Sequence, residues 1–348
     1  MPETVLQPAT GAVRTEAGAA DALWEAALDG DERRATDAVL QAAADLGYEV
    51  ALLDVIGAVQ RRVGSEWAAN RISVAQEHAI TAINDRAVSA LSVSRPYEPP
   101  TRGRVTVACV DGEWHALPAR LLAEVLSLRG FRVDYLGAQV PTPHLITHLH
   151  RTGPDVVALS SSIATRLPVA HATMTACQAA GVPVMVGGAA FGEGGKYARR
   201  FGANAWAADA RQAADMLVES RLPAPGTPHQ PIDDLPHLVD QEYTLVTRNT
   251  PTLVRSVYRA LEERVPAMKA YDDQQRLHTA EDLKHIVEFL ATALYVDDDE
   301  LFRSFLAWTG DVLVARSVPA RVLGPTLDLL SAELRDFPRA QRMIAAAR

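Results

Sequence analysis

Between Cys109 and Pro118 the chain reads Cys-Val-Asp-Gly-Glu-Trp-His-Ala-Leu-Pro, which sets a carboxylate, Glu113, two residues before an imidazole, His115. A neutral imidazole is a good metal ligand, and a metal-bound histidine commonly donates its other ring N–H to a carboxylate that fixes tautomer and direction. His115 is thus a candidate ligand and Glu113 its support. A histidine alone after a strand is more often structural, so the pair needs corroboration elsewhere. Trp67 is followed after nine residues by Glu77-His78, a flat apolar wall and a hydrogen-bond acceptor. His278, Asp282 and His285 fall at i, i+4 and i+7, on one helix face. By itself such a stripe is the solvated side of an amphipathic helix.

Two other patterns carry less. His144, His148 and His150 have no Asp, Glu or Cys at ligand spacing and read as incidental residues of a surface helix. The glycine-rich string 187–195 lacks the G-x-G-x-x-G order and follows the fourth expected strand, not the first, which argues against a dinucleotide loop.

The elements that must position these groups follow from periodicity. Residues 1–18 show little apolar pattern and read as a loose tail, with order expected from Ala19. From Ala20 to Leu91 apolar residues recur at helical spacing, broken at Asp29-Gly30-Asp31, Gly47, Gly64, Asn70 and Ser73, which predicts a bundle of about four helices. After a proline-rich linker, 92–103, short β-branched runs at 105–110, 132–136, 156–160, 182–186 and 204–207 alternate with helical patterns. That alternation predicts a five-stranded, parallel, doubly wound sheet, with ligands beyond the strands' carboxyl ends. A second proline-rich linker, 221–236, precedes a pattern that is helical to residue 348, expected as a separate all-helical domain. The expected domains are 19–92, 104–220 and 241–348.

Composition narrows the function. With 348 residues, 48% hydrophobic and 22% charged, the chain has the make-up of a globular protein, and no apolar run approaches the ~20 residues of a membrane helix. A net charge of -9 weighs against a nucleic-acid footprint, so any regulatory output is expected through protein contacts. Two cysteines, Cys109 and Cys177, point to a reducing compartment, and with no signal pattern at the N-terminus the cytoplasm is the expected location.

The 109–118 segment resembles the histidine loop of the cobalamin-binding domain shared by methionine synthase, the mutases and the light-sensing B12 regulators. Glu113 and His115 match that loop, and Pro118 stands where the family has glycine. The family's later serine matches Ser160, and its Gly-Gly after the fourth strand matches Gly187-Gly188; Ser162 stands where leucine is common. The resemblance implies His115 as cobalt ligand, Glu113 as its carboxylate partner, and Ser160, Ser162, Gly187 and Gly188 along the displaced nucleotide tail. The Trp67 to Glu77-His78 spacing is similar to the W-x9-E-H signature of adenosylcobalamin photoreceptors of the transcription-regulator type. It implies a helical cap whose tryptophan packs on the upper axial group while Glu77 and His78 hold the adenosyl moiety. Where light-sensing relatives place a second histidine after the tryptophan, this chain has Ala68.

The C-terminal segments around His278–His285, Asp297–Trp308 and Ala315–Pro319 resemble globin-like sensor domains, and the whole arrangement resembles photocobilins, which sense light through B12 and biliverdin. On that resemblance His278, Asp282 and His285 are candidate partners of pyrrole N–H groups, and Arg255, Lys269, Arg303 and Arg316 of propionates. The expected function is a non-enzymatic adenosylcobalamin photoreceptor, also binding biliverdin, that changes assembly as a homo-oligomer and signals to a protein partner. The alternatives are a corrinoid carrier of a methyltransferase system and a cobalamin-dependent interaction module without photochemistry.

Overall fold

A computed structural model describes residues 15–226 and 230–348. The expected tail falls largely outside these residues, as does part of the second linker. The described chain divides into two compact units, one drawn from 15–67 and 71–99 and the other from 68–70 and 100–348.

The first unit is helical. Helix α1 (Glu16–Leu28) begins three residues before the expected start, because the Thr15 side chain accepts from the Gly18 N–H and caps it. Helix α2 (Glu32–Leu46) is capped by Asp31 and ends at Gly47, whose φ of 96° closes it. The third helix, α3, runs over 48–68, with Ala51–Ile56 π-wound in its middle. Gly64, expected as a break, lies inside α3. Helix α4 (Val74–Ser94) starts at a reciprocal Ser73–Gln76 capping box and overruns the expected linker by three residues. Leu23, Val39, Val55, Ile56, Ile80, Ile83, Val88 and Leu91 form a core of their own, as the 3.6-residue period requires.

The second unit is built on strands β1 (Arg104–Cys109), β2 (Arg132–Gly137), β3 (Val156–Ser160), β4 (Val184–Gly187) and β5 (Ala205–Ala207). All pair in parallel, in the order β2-β1-β3-β4-β5. The crossovers are α5 (Leu117–Leu128), α6 (Thr142–Thr152), α7 (Leu167–Ala179) and the short α8 (Lys196–Arg200), while α9 (Ala210–Glu219) follows the last strand. Register sets Cys109, Ser160, Gly187 and Ala207 side by side at the carboxyl edge. The chain reverses its winding between β1 and β3, so the loops after these two strands flank the crevice where such sheets bind ligands.

The remaining helices are α10 (Pro231–Asp234), α11 (Glu242–Arg264), α12 (Asp273–Val296), α13 (Asp299–Ala315), α14 (Leu323–Glu333) and α15 (Pro338–Ala346). They pack on the sheet: one continuous apolar core runs from Val110 and Leu159 through Leu167, Met174 and Phe201 to Leu290, Leu294 and Met343. Sequence composition separates this helical region at a linker, but its apolar face is buried against α7 and α8 of the sheet layer.

Candidate metal and cofactor site

The loop leaving β1 is held by its backbone. The Val110 N–H donates to the Ser160 carbonyl, and the Glu113 N–H to the Val110 carbonyl. Gly112, at φ +75°, supplies the left-handed turn, and a Cβ there would meet the Arg166 guanidinium at 2.9 Å. This turn aims Glu113 inward, where it is 1% exposed.

Both carboxylate oxygens of Glu113 are fully used. Oε1 accepts from the His115 N–H at 2.9 Å and lies 2.6 Å from His115 Nδ1. Oε2 accepts from the Ser162 N–H at 2.6 Å, the Ser161 hydroxyl at 3.1 Å and the Ile163 N–H at 3.2 Å. Burial pushes this carboxyl's pKa up, but the hydrogen bonds from His115, Ser162 and Ile163 outweigh it and hold the pKa down at about 2. Glu113 is therefore an anion that joins the loop after β1 to the loop after β3. With Nδ1 donating to it, the ring of His115 is fixed in direction, Nε2 is the nitrogen that would meet a metal, and the side chain is 55% exposed. Beside it Cys109 is buried, and desolvation followed by the charge of Glu113 pushes its thiol up to about 12, so it is no thiolate ligand.

Ser160, Gly187 and Gly188 come together in a slot of about 110 Å³ at the carboxyl edge of β3, β4 and β5, closed by Pro118 at the start of α5 and Ala210 of α9. Small residues line it, so backbone is reachable from inside, which suits a flat heterocyclic tail. The two glycines differ in origin. A Cβ on Gly187 would stand 3.3 Å from the Ala207 carbonyl, whereas one on Gly188 (φ +102°) would stand 2.2 Å from the Ser161 carbonyl. Gly188 is thus required first by the protein's own loop packing. Ser162, expected along the tail, donates its backbone N–H to Glu113.

In the helical unit Trp67 is half-buried near the end of α3, and Glu77 and His78 lie in the first turn of α4. His78 Nδ1 is 2.5 Å from Glu77 Oε2. The other Glu77 oxygen accepts from the Thr81 hydroxyl at 3.3 Å; Gln60 Nε2 donates to Thr81 at 2.9 Å, and buried Asn84 donates to Gln60 at 3.1 Å. This polar ladder fixes the Glu77 carboxylate. Sequence reasoning missed it, although Glu77, Thr81 and Asn84 already stand at i, i+4 and i+7.

Of the C-terminal candidates, His278, Asp282 and His285 share the early part of α12. Partial desolvation raises the Asp282 carboxyl's pKa against the pull of His285, His278 and Arg316. Arg255 lies on α11, exposed, near Thr252. Lys269 is exposed, and Arg303 is paired with Glu300. A cavity of about 340 Å³ opens elsewhere, between α11, α12 and the turn before α7, where Arg166, Lys284, Glu288, Tyr243 and Thr247 meet. Arg166 and Lys284 were not among the sequence candidates, since only the packing of α11 and α12 against the sheet layer brings them together. His148 Nε2 is 3.3 Å from Asp134, a half-buried pair, and no cluster of three metal-ligating side chains occurs among the described residues. No helix of the described residues is long and apolar enough to cross a membrane.

Residues 103–214 match a family model described as a B12 binding domain, and residues 19–92 match a second model with the same description. The fold, the site and these two regions define a cobalamin-binding protein. The chain is also 34% identical, over 167 residues, to the HTH-type transcriptional repressor CarH of Myxococcus xanthus. That similarity takes in 46% of this chain and 54% of the relative, so the chain spans about half the length of the curated protein it matches. Among solved structures, the monomethylamine corrinoid protein of Methanosarcina barkeri shares the fold, with a TM-score of 0.52 at 19% identity over 59% of this chain and 99% of that one.

Proposed function

We propose that the chain is an adenosylcobalamin photoreceptor that also takes a linear tetrapyrrole, and that it acts as a sensor, not as an enzyme. The observation that carries the cobalamin reading is the Glu113–His115 pair, a solvent-facing imidazole with its tautomer fixed by a buried anion, in the loop that leads to Pro118, which lines a slot made mostly of small residues. His115 would hold the cobalt, and Ser160, Gly187 and Gly188 the nucleotide tail. The adenosyl form rests on Trp67, Glu77 and His78 and their likeness to the W-x9-E-H signature. Glu77, held by Thr81 and paired with His78, is suited to accept from ribose hydroxyls, and Trp67 to pack on an adenine-sized apolar surface.

When bound, adenosylcobalamin supplies a cobalt–carbon bond that visible light cleaves. Trp67, Glu77 and His78 would hold the adenosyl group, and they would lose that partner when it leaves. A ligand shifts a conformational equilibrium only through its differential affinity for the two states, so the helical unit would lose one term that biases its conformation, and a change of assembly would follow from that. The output is a protein contact of this homo-oligomer.

The bilin reading rests on the globin-like resemblance of the C-terminal helices and on the cavity between α11 and α12. Arg166 and Lys284 supply cations suited to carboxylates there, His285 follows Lys284 on the same helix, and His278 and Asp282 lie nearer its start.

Protein loaded with adenosylcobalamin and biliverdin should show a green-to-blue cobalamin spectrum that changes on illumination, plus a separate red band. A light-insensitive spectrum would remove the photoreceptor reading, and absence of the red band would remove the bilin. The second reading, a corrinoid carrier, is favoured by the fold shared with the monomethylamine corrinoid protein. Mass spectrometry of the bound upper ligand separates the two, since a carrier holds a methyl group where the sensor holds adenosyl.

A further inference from the structure

His171 of α7 is 0% exposed, yet both its ring nitrogens have partners from other segments. Nε2 lies 2.9 Å from Asp234 Oδ2 at the end of α10, and Nδ1 lies 3.0 Å from the Tyr295 hydroxyl near the end of α12. The ring stacks on Phe201, with centroids 4.2 Å apart and planes 9° apart. A neutral imidazole satisfies every member: Nε2–H donates to the carboxylate, and the Tyr295 O–H donates into Nδ1. Burial pushes the Tyr295 hydroxyl's pKa up, which keeps it a donor. A buried imidazole left unpartnered is costly, so this chain holds linker, sheet layer and C-terminal helices together only while all three are in place.

The end of α12 is where these layers are fastened. Its last three carbonyls accept from three different segments: Leu294 from Arg339 of α15 at 2.7 Å, Tyr295 from His237 at 2.8 Å, and Val296 from Arg200 of α8. Upstream, His171 is tied to the cobalt-ligand loop. Glu113 holds the N–H groups of Ser162 and Ile163; the short turn Ala164–Arg166 follows and runs directly into α7, with His171 one turn inside it.

We propose that the Asp234–His171–Tyr295 chain is a conformational latch through which the state of the His115–Glu113 loop reaches the end of α12. Movement of Glu113 displaces 161–166 and the start of α7, and His171 then loses or keeps its two partners, which sets whether α10 and α12 stay fastened to the sheet layer. The trigger rests on the cobalamin reading; the latch itself does not.

Hydrogen-exchange mass spectrometry of the full chain tests both, on wild type, Tyr295→Phe, Asp234→Ala and the double variant, with and without hydroxocobalamin. Tyr295→Phe keeps the ring against Phe201 and Tyr243, so the fold is retained. Without cofactor, each variant should exchange about tenfold faster over 290–296, and the double variant no faster than the singles. Hydroxocobalamin should slow 110–117 in every protein, but alter 290–296 only in wild type. Unchanged exchange at 290–296 in the variants, or a cofactor response there that survives Tyr295→Phe, overturns the latch. Failure of 110–117 to respond would overturn the cobalamin reading, while the cofactor-free comparison still decides the latch. Nitrogen-15 spectra of His171 should show a neutral ring protonated at Nε2; an imidazolium or an Nδ1–H tautomer overturns the assignment.

Discussion

His115 Nδ1 lies 2.6 Å from Glu113 Oε1, joining an imidazole that is 55% exposed to a carboxylate that is 1% exposed. Replacing the exposed partner should leave the fold alone. His115→Ala is expected to unfold at the wild-type denaturant midpoint while holding cobalamin weakly or with its own benzimidazole on cobalt. Absorption spectra of the bound cofactor check this, and an unchanged histidine-ligated spectrum would falsify the ligand assignment.

Replacing the buried partner should do the reverse. Glu113→Gln must turn an NH2 group either toward the His115 N–H or toward those of Ser162 and Ile163, so donor faces donor in a buried place. A loss of about 2–4 kcal/mol is expected from the groups left unsatisfied. Loss of the support behind a metal-bound histidine should also weaken cobalamin about 10- to 100-fold. Urea unfolding and a cofactor titration measure the two effects.

Gly187→Ala and Gly188→Ala should separate in the same way. Gly188→Ala places a Cβ 2.2 Å from the Ser161 carbonyl at a φ of +102°, and should destabilise by roughly 2–4 kcal/mol. Gly187→Ala meets only the Ala207 carbonyl, at 3.3 Å, and narrows the slot. It should retain stability within about 1 kcal/mol but lower cobalamin affinity, which thermal unfolding and a cofactor titration resolve together.

Acid should loosen the contact between α8 and α13 through Asp298. Burial pushes this carboxyl's pKa up, but hydrogen bonds from Lys196 at 2.6 Å and Tyr197 at 2.8 Å prevail and lower it. A carboxyl whose folded-state pKa is depressed contributes its full stabilisation above the unfolded value, near pH 4, and loses it as pH falls through the folded value. Asp298→Asn keeps the helix cap, since asparagine also accepts from the Glu300 N–H. Wild type and variant should differ by about 1–2 kcal/mol at pH 7 and converge toward pH 2 in urea midpoints measured across that range.

On the photoreceptor reading, light should act without a histidine directly after the tryptophan, because Ala68 follows Trp67. His78, 76% exposed and paired with Glu77, is the expected nitrogen donor once the adenosyl group has left. Illuminated wild type should give a bis-imidazole spectrum that His78→Ala lacks. Survival of that spectrum in the variant removes His78 as donor, and identical elution volumes in dark and light would count against an assembly change.

The order of elements and the Glu113–His115 pairing were legible in the sequence, because both are written in local terms. Strand and helix periods differ, so the five short β-branched runs and the helices between them could be read directly, and the Glu113–His115 spacing set a carboxylate beside an imidazole in the loop after β1. Helix ends were less legible where long-range packing outvotes a residue's own preference: Gly64 stays inside α3 although glycine disfavours helix. What only the tertiary structure decided is who meets whom across the sheet. Ser161 and the N–H groups of Ser162 and Ile163 are about fifty residues from Glu113, and only the β1–β3 pairing sets them around its carboxylate. Likewise the C-terminal helices read as a separate domain because a proline-rich linker precedes them. Their apolar faces carry no mark of what they pack on, and burial against α7 and α8 draws His171, Asp234 and Tyr295 into one hydrogen-bonded chain.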